Sequence, residues 1–242
     1  MHNFDLLVPC HLMFGKDRIN ELPKVMSQFG KKVLLTYGGG SIKRTGLYDK
    51  VKELLKDYEV FELSGIEPNP KISSVRAGVK ICKEQNIDVI LAVGGGSVID
   101  CSKNISAGWG YDGDPWELVL DCSKVSKTLP IVTVLTLSAT GSEFDNSAVI
   151  SNPETNEKMP LFGFGTLDPK VSICDPTYTF TVPANQTAAG AADIMSHTFE
   201  SYLVKDGNEL SDSMCEGMLR TVIKYAPIAI KEPDNYEARA QL

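Results

Sequence analysis

Histidine is scarce in this chain: three occur in 242 residues. Two of them, His2 and His11, lie near the N-terminus, so imidazole alone cannot complete the roughly four-donor set of a tetrahedral ion on one segment. Both read as surface residues. No two of the six cysteines (Cys10, Cys82, Cys101, Cys122, Cys174, Cys215) are close enough to form a zinc or redox motif. A chain of this size can bury a core without disulfides, so free thiols in a reducing compartment are expected. Basic runs are missing as well. Lys31-Lys32 and Lys43-Arg44 are the adjacent basic pairs, and a net charge of -7 argues against nucleic acid or an anionic membrane as partner. No apolar run approaches the roughly 18–20 residues that cross a bilayer. Met1 to Asp5 shows no basic stretch leading into an apolar one, so no secretory signal is expected and the protein reads as cytoplasmic. The Gly-x-Gly-x-x-Gly pattern is absent, which excludes a standard Rossmann fingerprint.

What is present has the bulk character of a folded globular protein, with 43% hydrophobic and 23% charged residues, and is long enough for one large domain or two modest ones. Strand and helix patterns alternate through the first two thirds. Strands are expected at Val33 to Tyr37, Glu59 to Leu63, Ile87 to Val93 and Ile131 to Leu135. Helices are expected over Ile42 to Tyr58, Ile72 to Gln85, and from the turn at Gly94 to about Ala107. Continuous apolar strands between amphipathic helices predict a parallel sheet covered on both faces. Asn152 to Asn156 is a turn cluster that suggests a hairpin between Ser147–Ile150 and Met159–Leu161. Trp109, Trp116 and Phe162 to Phe164 read as core or cleft walls.

After Asp175-Pro176 the pattern becomes helical: Asn185 to Val204, Ser211 to Tyr225, and Asn235 onward. The expected fold class is α/β, an N-terminal parallel-sheet nucleotide-binding domain (residues 1–180) followed by the start of an all-helical domain (181–242). Glu237 to Leu242 is helix-forming sequence without a glycine cap or breaker. It reads as a helix cut short, whose missing remainder would cover the apolar faces of the other helices and whose loss favours self-association.

Two features carry chemistry. Asp193 and His197 stand four residues apart in a helical stretch, on one face and within reach of a common ion. The small residues Ala188 to Ala192 precede them, as if something approaches closely there. Glu200, three residues on, reads as a helix salt-bridge partner. The second feature is a repeated Gly-Gly-Gly-Ser turn, at Gly38 to Ser41 and at Gly94 to Ser97, each between a predicted strand and a predicted helix. Glycine permits positive φ and lets backbone amides approach an anion. Two such turns favour a dinucleotide. No acid follows Tyr37 until Asp49, whereas Ser41 and Lys43 offer a hydroxyl and an ammonium, so NADP is favoured over NAD.

These motifs, together with Leu12-Met13-Phe14-Gly15-Lys16, Tyr37 to Gly46, Gly94 to Asp100, Thr136 to Glu143 and Gly190 to Glu200, resemble the iron-containing (group III) alcohol dehydrogenases, in the branch of butanol dehydrogenases and NADPH-dependent aldehyde reductases. The resemblance runs through essentially the whole sequence. It implies a nucleotide-binding domain, a helical domain and a metal, iron or zinc, held in the cleft by one Asp and three His. Asp193 and His197 match the first two ligands, and the other two would lie beyond Leu242. Pyrophosphate contacts map to Gly94, Gly95, Gly96 and Ser97 with Asp100 nearby, and the adenosine end maps to Gly38, Gly39 and Ser41. Thr136, Ser138 and Thr140 map to the ribose and nicotinamide region, and Lys158 to a position that often touches the cofactor. Thr136-Leu137-Ser138-Ala139 departs from the family's commoner Thr-Thr-Ala-Gly.

The implied reaction interconverts primary alcohols and aldehydes with NAD(P)(H), assisted by the metal, so that no side chain need act as base; a homo-oligomer is expected. Glycerol dehydrogenases and dehydroquinate synthases share the architecture, but the missing acid after Tyr37 and the Gly190 to Glu200 stretch argue against them. A nucleotide-binding fragment without turnover is the other alternative. Two ligands hold a divalent ion weakly, so the 242-residue chain is expected to bind NADPH poorly and not to turn over.

Overall fold

A computed structural model of the chain describes every residue except Met1, His2, Phe4, Leu6 and Phe164. The readings of His2 and Phe164 therefore lie outside the described residues. In chain order the elements are β1 (His11–Phe14), α1 (Leu22–Met26), β2 (Lys32–Tyr37), α2 (Ser41–Arg44), α3 (Leu47–Leu54), β3 (Glu59–Leu63), α4 (Ile72–Gln85), β4 (Val89–Gly94), α5 (Gly96–Trp109), α6 (Pro115–Leu120), β5 (Ile131–Leu135), β6 (Ser147–Asn152), β7 (Glu157–Phe162), β8 (Val171–Cys174), α7 (Ala184–Tyr202), α8 (Glu209–Lys231) and α9 (Tyr236–Ala240).

Six strands form one parallel sheet in the order β1-β8-β5-β4-β2-β3. The apolar runs of β2, β4 and β5 are buried at almost every position because both sheet faces are covered. On one face Leu34, Ile90 and Ala92 meet Val75 and Val79 of α4, Ile99 and Ile105 of α5, and Trp116 of α6. On the other, Val33, Leu35, Leu91 and Val134 meet Leu22 of α1, Ile42 of α2 and Val51 of α3. The parallel order brings all the strands' C-terminal ends to one edge, where crossover loops can build a site.

The structure corrects the sequence reading in several places. The helix expected from Ile42 to Tyr58 is two helices, because Gly46 takes φ 78°, a left-handed conformation that breaks the helical path. β1 and β8 were not expected; each is four residues long, and β8 inserts between β1 and β5. The hairpin is present as β6 and β7, in antiparallel register from Ser147 opposite Phe162 to Asn152 opposite Glu157. Phe162 is exposed rather than a core or cleft residue, since alternation along β7 turns it outward. Trp116 is buried in the core, with Trp109 packed against it, as expected.

The helical part is thinner. α7 and α8 pair around Ala191, Val222 and Ala226, and α8 continues through Pro227 to Lys231. Asn235 caps α9, its side chain accepting the Ala238 N–H at 3.0 Å. Leu203, Leu210, Met214 and Ile223 are exposed. Glu200 is exposed and makes no salt bridge among the described residues; His197, three residues earlier on the helix, faces Asp193 instead. His11 is exposed on β1. The six cysteines are unpaired; burial pushes the thiols of Cys82 and Cys101 up to about 12, which makes them inert. Among the described residues no helix is long and apolar enough to cross a membrane.

Candidate active site

The Gly94–Ser97 turn joins β4 to α5 at the C-terminal edge of the sheet. Gly95 is extended and its carbonyl accepts the N–H groups of Val98 and Ile99, starting the helix. The glycines here are required by crowding. A Cβ on Gly94 would stand 2.6 Å from Val98 Cγ2, one on Gly95 would stand 3.1 Å from Leu137 Cβ, and one on Gly96 would collide with Thr140 Oγ1. Loop 136–142 therefore lies directly on the turn, anchored where Thr136 N–H donates to Gly94 O at 3.1 Å.

Helix α5 fastens that loop from below. Both oxygens of Asp100 are committed within the chain, one accepting the Ser142 hydroxyl at 2.6 Å and the other the Val149 N–H at 3.0 Å. Burial raises the Asp100 carboxyl above the ordinary range, against the opposing effect of those two donors. One turn on, Lys103 is fully buried, and its ammonium donates at 2.8 Å to Asp145 Oδ1, Asp145 O and Ser147 O. Sequence reasoning missed Lys103, although it is the one basic residue of the helix Gly96–Trp109. Lys158 lies on exposed β7, where its ammonium donates to Asn69 Oδ1 at 2.7 Å and ties the hairpin to the loop after β3.

The Gly38–Ser41 turn is open. A Cβ on Gly39 or Gly40 would meet nothing within 4 Å, though Gly40 takes φ 99° and needs glycine for that reason. An acid does stand near this turn, invisible in the local sequence. Glu62 on β3 accepts the hydroxyls of Tyr37 (2.8 Å) and Tyr48 (2.7 Å) and the ammonium of Lys52 (3.2 Å).

α7 meets the nucleotide-binding part at Gly190, where a Cβ would stand 2.6 Å from Ser138 O. One turn further along α7, Asp193 Oδ1 and His197 Nε2 are 3.6 Å apart, both half-exposed. As a bare helix pair they contribute a few tenths of a kcal/mol. As donors, an oxygen and a ring nitrogen on one helix face suit a common divalent ion. Among the described residues, however, no group of three or more His, Cys, Asp or Glu side chains is placed to hold one.

His197 shares a cavity of about 450 Å³ with Ser138 and Thr140 from the loop and with Glu143, Met218 and Arg239. Three of these, Glu143, Met218 and Arg239, were given no role by the sequence. Glu143 carries a carboxyl raised by burial. Arg239 is buried, donating from Nη1 to Thr187 Oγ1 and from Nε to Pro233 O, both at 2.8 Å, while Nη2 finds no partner among the described residues. The structure thus gathers Gly94 to Ser97, Thr136, Ser138, Thr140 and, across the cavity, His197. Gly38 to Ser41 lies one strand to the side, at the end of β2, which pairs with β4, and Lys158 lies on the separate hairpin.

Comparisons with known proteins give one answer. Residues 9–176 match the family described as iron-containing alcohol dehydrogenase, and residues 187–242 match its C-terminal counterpart. The chain is 55% identical to NADH-dependent butanol dehydrogenase A of Clostridium acetobutylicum, over all of this chain and 63% of that protein. It is 42% identical to NADPH-dependent aldehyde reductase YqhD of Escherichia coli, again over all of this chain and 63% of the relative. The crystal structure of NADH-dependent butanol dehydrogenase A from Thermotoga maritima superposes with a TM-score of 0.96 at 42% identity, covering all of this chain and 61% of that one. The chain therefore spans less than two thirds of the length of these relatives.

Proposed function

We propose, from the premise that this chain belongs to the iron-containing alcohol dehydrogenase family, that it forms the nicotinamide-binding part and one half of the metal centre of an oxidoreductase interconverting primary alcohols and aldehydes. The two parts divide at residues 180 and 181. The observation that carries this reading is the shared cavity: His197, one of two donors on α7, faces the loop that rests on the Gly94–Ser97 turn. Relatives named butanol dehydrogenase and aldehyde reductase support the substrate class.

Gly94, Gly95, Gly96 and Ser97 would receive the pyrophosphate, with Asp100 nearby, Gly38, Gly39 and Ser41 the adenosine end, and Thr136, Ser138 and Thr140 the ribose and nicotinamide; Lys158 would touch the cofactor only on leaving Asn69. Asp193 and His197 would hold an iron or zinc ion together with two donors from outside these residues. Such an ion supplies Lewis acidity at an alcohol or carbonyl oxygen, and the nicotinamide supplies hydride chemistry. The chain's own residues position these groups. Asp100 holds the loop at Ser142, Lys103 anchors the segment 145–147 that follows it, and Gly190 lets α7 approach that loop. NADP(H) is the favoured nucleotide, aldehyde reduction the favoured direction and the cytoplasm the location. Assembly with further copies is supported by the exposed apolar residues of α7 and α8.

A second reading, nucleotide binding without turnover by these 242 residues, is favoured by the lack of a three-donor group among the described residues. NADPH consumption with butanal, with iron or zinc added and metal content measured, separates the two. A polypeptide that supplies two further histidines is expected to be active and to lose activity on Asp193→Ala or His197→Ala, while the 242-residue chain stays silent. Inactivity of the longer polypeptide with every short aldehyde and both metals overturns the oxidoreductase reading.

A further inference from the structure

Beside the open Gly38–Ser41 turn, Lys43 belongs to one side-chain assembly with Tyr37, Tyr48, Lys52 and Glu62. Tyr37, the residue before Gly38, and Tyr48 on α3 meet edge to face, with ring centroids 5.7 Å apart and planes at 61°. Both hydroxyls donate to Glu62, one to each carboxylate oxygen, and Lys52 completes the set. Burial works against ionisation of Glu62, but the Tyr48 and Tyr37 hydroxyls and Lys52 outweigh it and hold the carboxyl below its ordinary range. Above the rings lies the ammonium of Lys43, 5.1 Å from the Tyr37 centroid and 4.7 Å from that of Tyr48. A lysine ammonium on a four-carbon stem ordinarily samples many rotamers. Here two aromatic faces restrict it, and one carboxylate fixes both rings.

We propose that Lys43 is the specificity-determining residue for the 2′-phosphate of the adenosine ribose, and that Glu62, through Tyr37 and Tyr48, is the positioning residue that holds it ready. This rests on the reading of the Gly38–Ser41 turn as the adenosine end. Each oxygen of Glu62 already accepts a phenol, and Oε1 the Lys52 ammonium as well, so Glu62 is engaged within the chain rather than held open for the ribose hydroxyls as an NAD-selecting acid is. An acid that normally selects against a phosphate here braces the cation that receives it.

The two roles of Glu62 have opposite signs. As a bare negative charge near a phosphate, its removal strengthens NADPH binding. As a brace for Lys43, its removal weakens it. The test is titration of the longer polypeptide that supplies two further histidines, unaltered and as each variant, with NADPH and with NADH, followed by nucleotide fluorescence. Lys43→Met is expected to weaken NADPH binding roughly tenfold, the size of one lost charge-assisted contact, while leaving NADH within about twofold. Glu62→Gln is expected to weaken NADPH about threefold with NADH unchanged, and Tyr48→Phe, which keeps the ring and loses its hydroxyl, to fall between wild type and Glu62→Gln. Unchanged NADH binding also serves as the check that each variant is folded. Tighter NADPH binding by Glu62→Gln, or an equal loss of both nucleotides in Lys43→Met, overturns the proposal while leaving the nucleotide site standing. Failure of the unaltered longer polypeptide to bind either nucleotide overturns both.

Discussion

The two Gly-Gly-Gly-Ser turns have identical sequences and the same place between a parallel strand and a helix, yet their surroundings are opposite. At Gly94–Ser97 every glycine is pressed by a neighbour: Val98, Leu137 or Thr140. At Gly38–Ser41 the space above Gly39 and Gly40 is open. The helix that follows is fourteen residues long in the first case and four in the second. The acid behind the first turn, Asp100, is half-buried and fixes a loop; the acid near the second, Glu62, sits among phenols and a lysine. A repeated motif therefore serves two purposes: glycine yields room to protein at one copy and leaves room over the backbone at the other.

That contrast can be broken most severely through Lys103, which anchors Asp145 and Ser147 where the loop over the crowded turn leads into β6. Lys103→Ala is expected to cost about 3 kcal/mol in urea denaturation, at the low end for breaking a buried ion pair because Asp145 is half-exposed. Gly96→Ala should cost about 1–3 kcal/mol by overpacking against Thr140, with much of the loss recovered in the double variant Gly96→Ala/Thr140→Ala. Lack of recovery would show that the Thr140 contact is not the cause. At the open turn Gly40→Ala should cost only about 1 kcal/mol, through its left-handed φ of 99°. Gly39→Ala should stay within about 0.5 kcal/mol in stability while weakening nucleotide binding, since its methyl group would occupy space over the backbone.

The smallest effect sharpens the comparison through pH. Glu62 is held below its ordinary 4.5, so its contribution to stability is complete above pH 4.5 and is lost as the pH falls through its lowered value. Asp100 is raised above its ordinary 3.8, so its contribution is greatest below pH 3.8 and is lost as the pH rises through its raised value. Urea midpoints measured against pH should therefore show Glu62→Gln flattening the acid limb below pH 4.5. Asp100→Asn should instead remove a slope of opposite sign above pH 3.8. Slopes of the same sign in both variants would contradict this assignment.

The sheet was legible in the sequence where its strands are continuous apolar runs, as in β2, β4 and β5, and the two-faced core follows from those runs. β1 and β8 were not, because four residues give too short a pattern to separate from loop. The break at Gly46 was hidden because the apolar spacing continues across it, and only the backbone shows the left-handed turn. At the site, the glycine turns and the Asp193–His197 pair stand out locally. Glu62 does not, since its phenol partners lie 25 and 14 positions earlier. Arg239 was hidden in the same way, its Thr187 partner lying 52 positions away. Residues joined across such distances carry no spacing signal until the chain is folded.

Gly190 has a practical consequence for protein engineering. Because α7 touches the Ser138 carbonyl with no side chain between them, a chimera that joins this sheet to a foreign helical bundle must bring a glycine to that seam, one turn ahead of Asp193. An alanine graft would push the helix outward and carry the carboxylate and imidazole away from the mouth of the cleft.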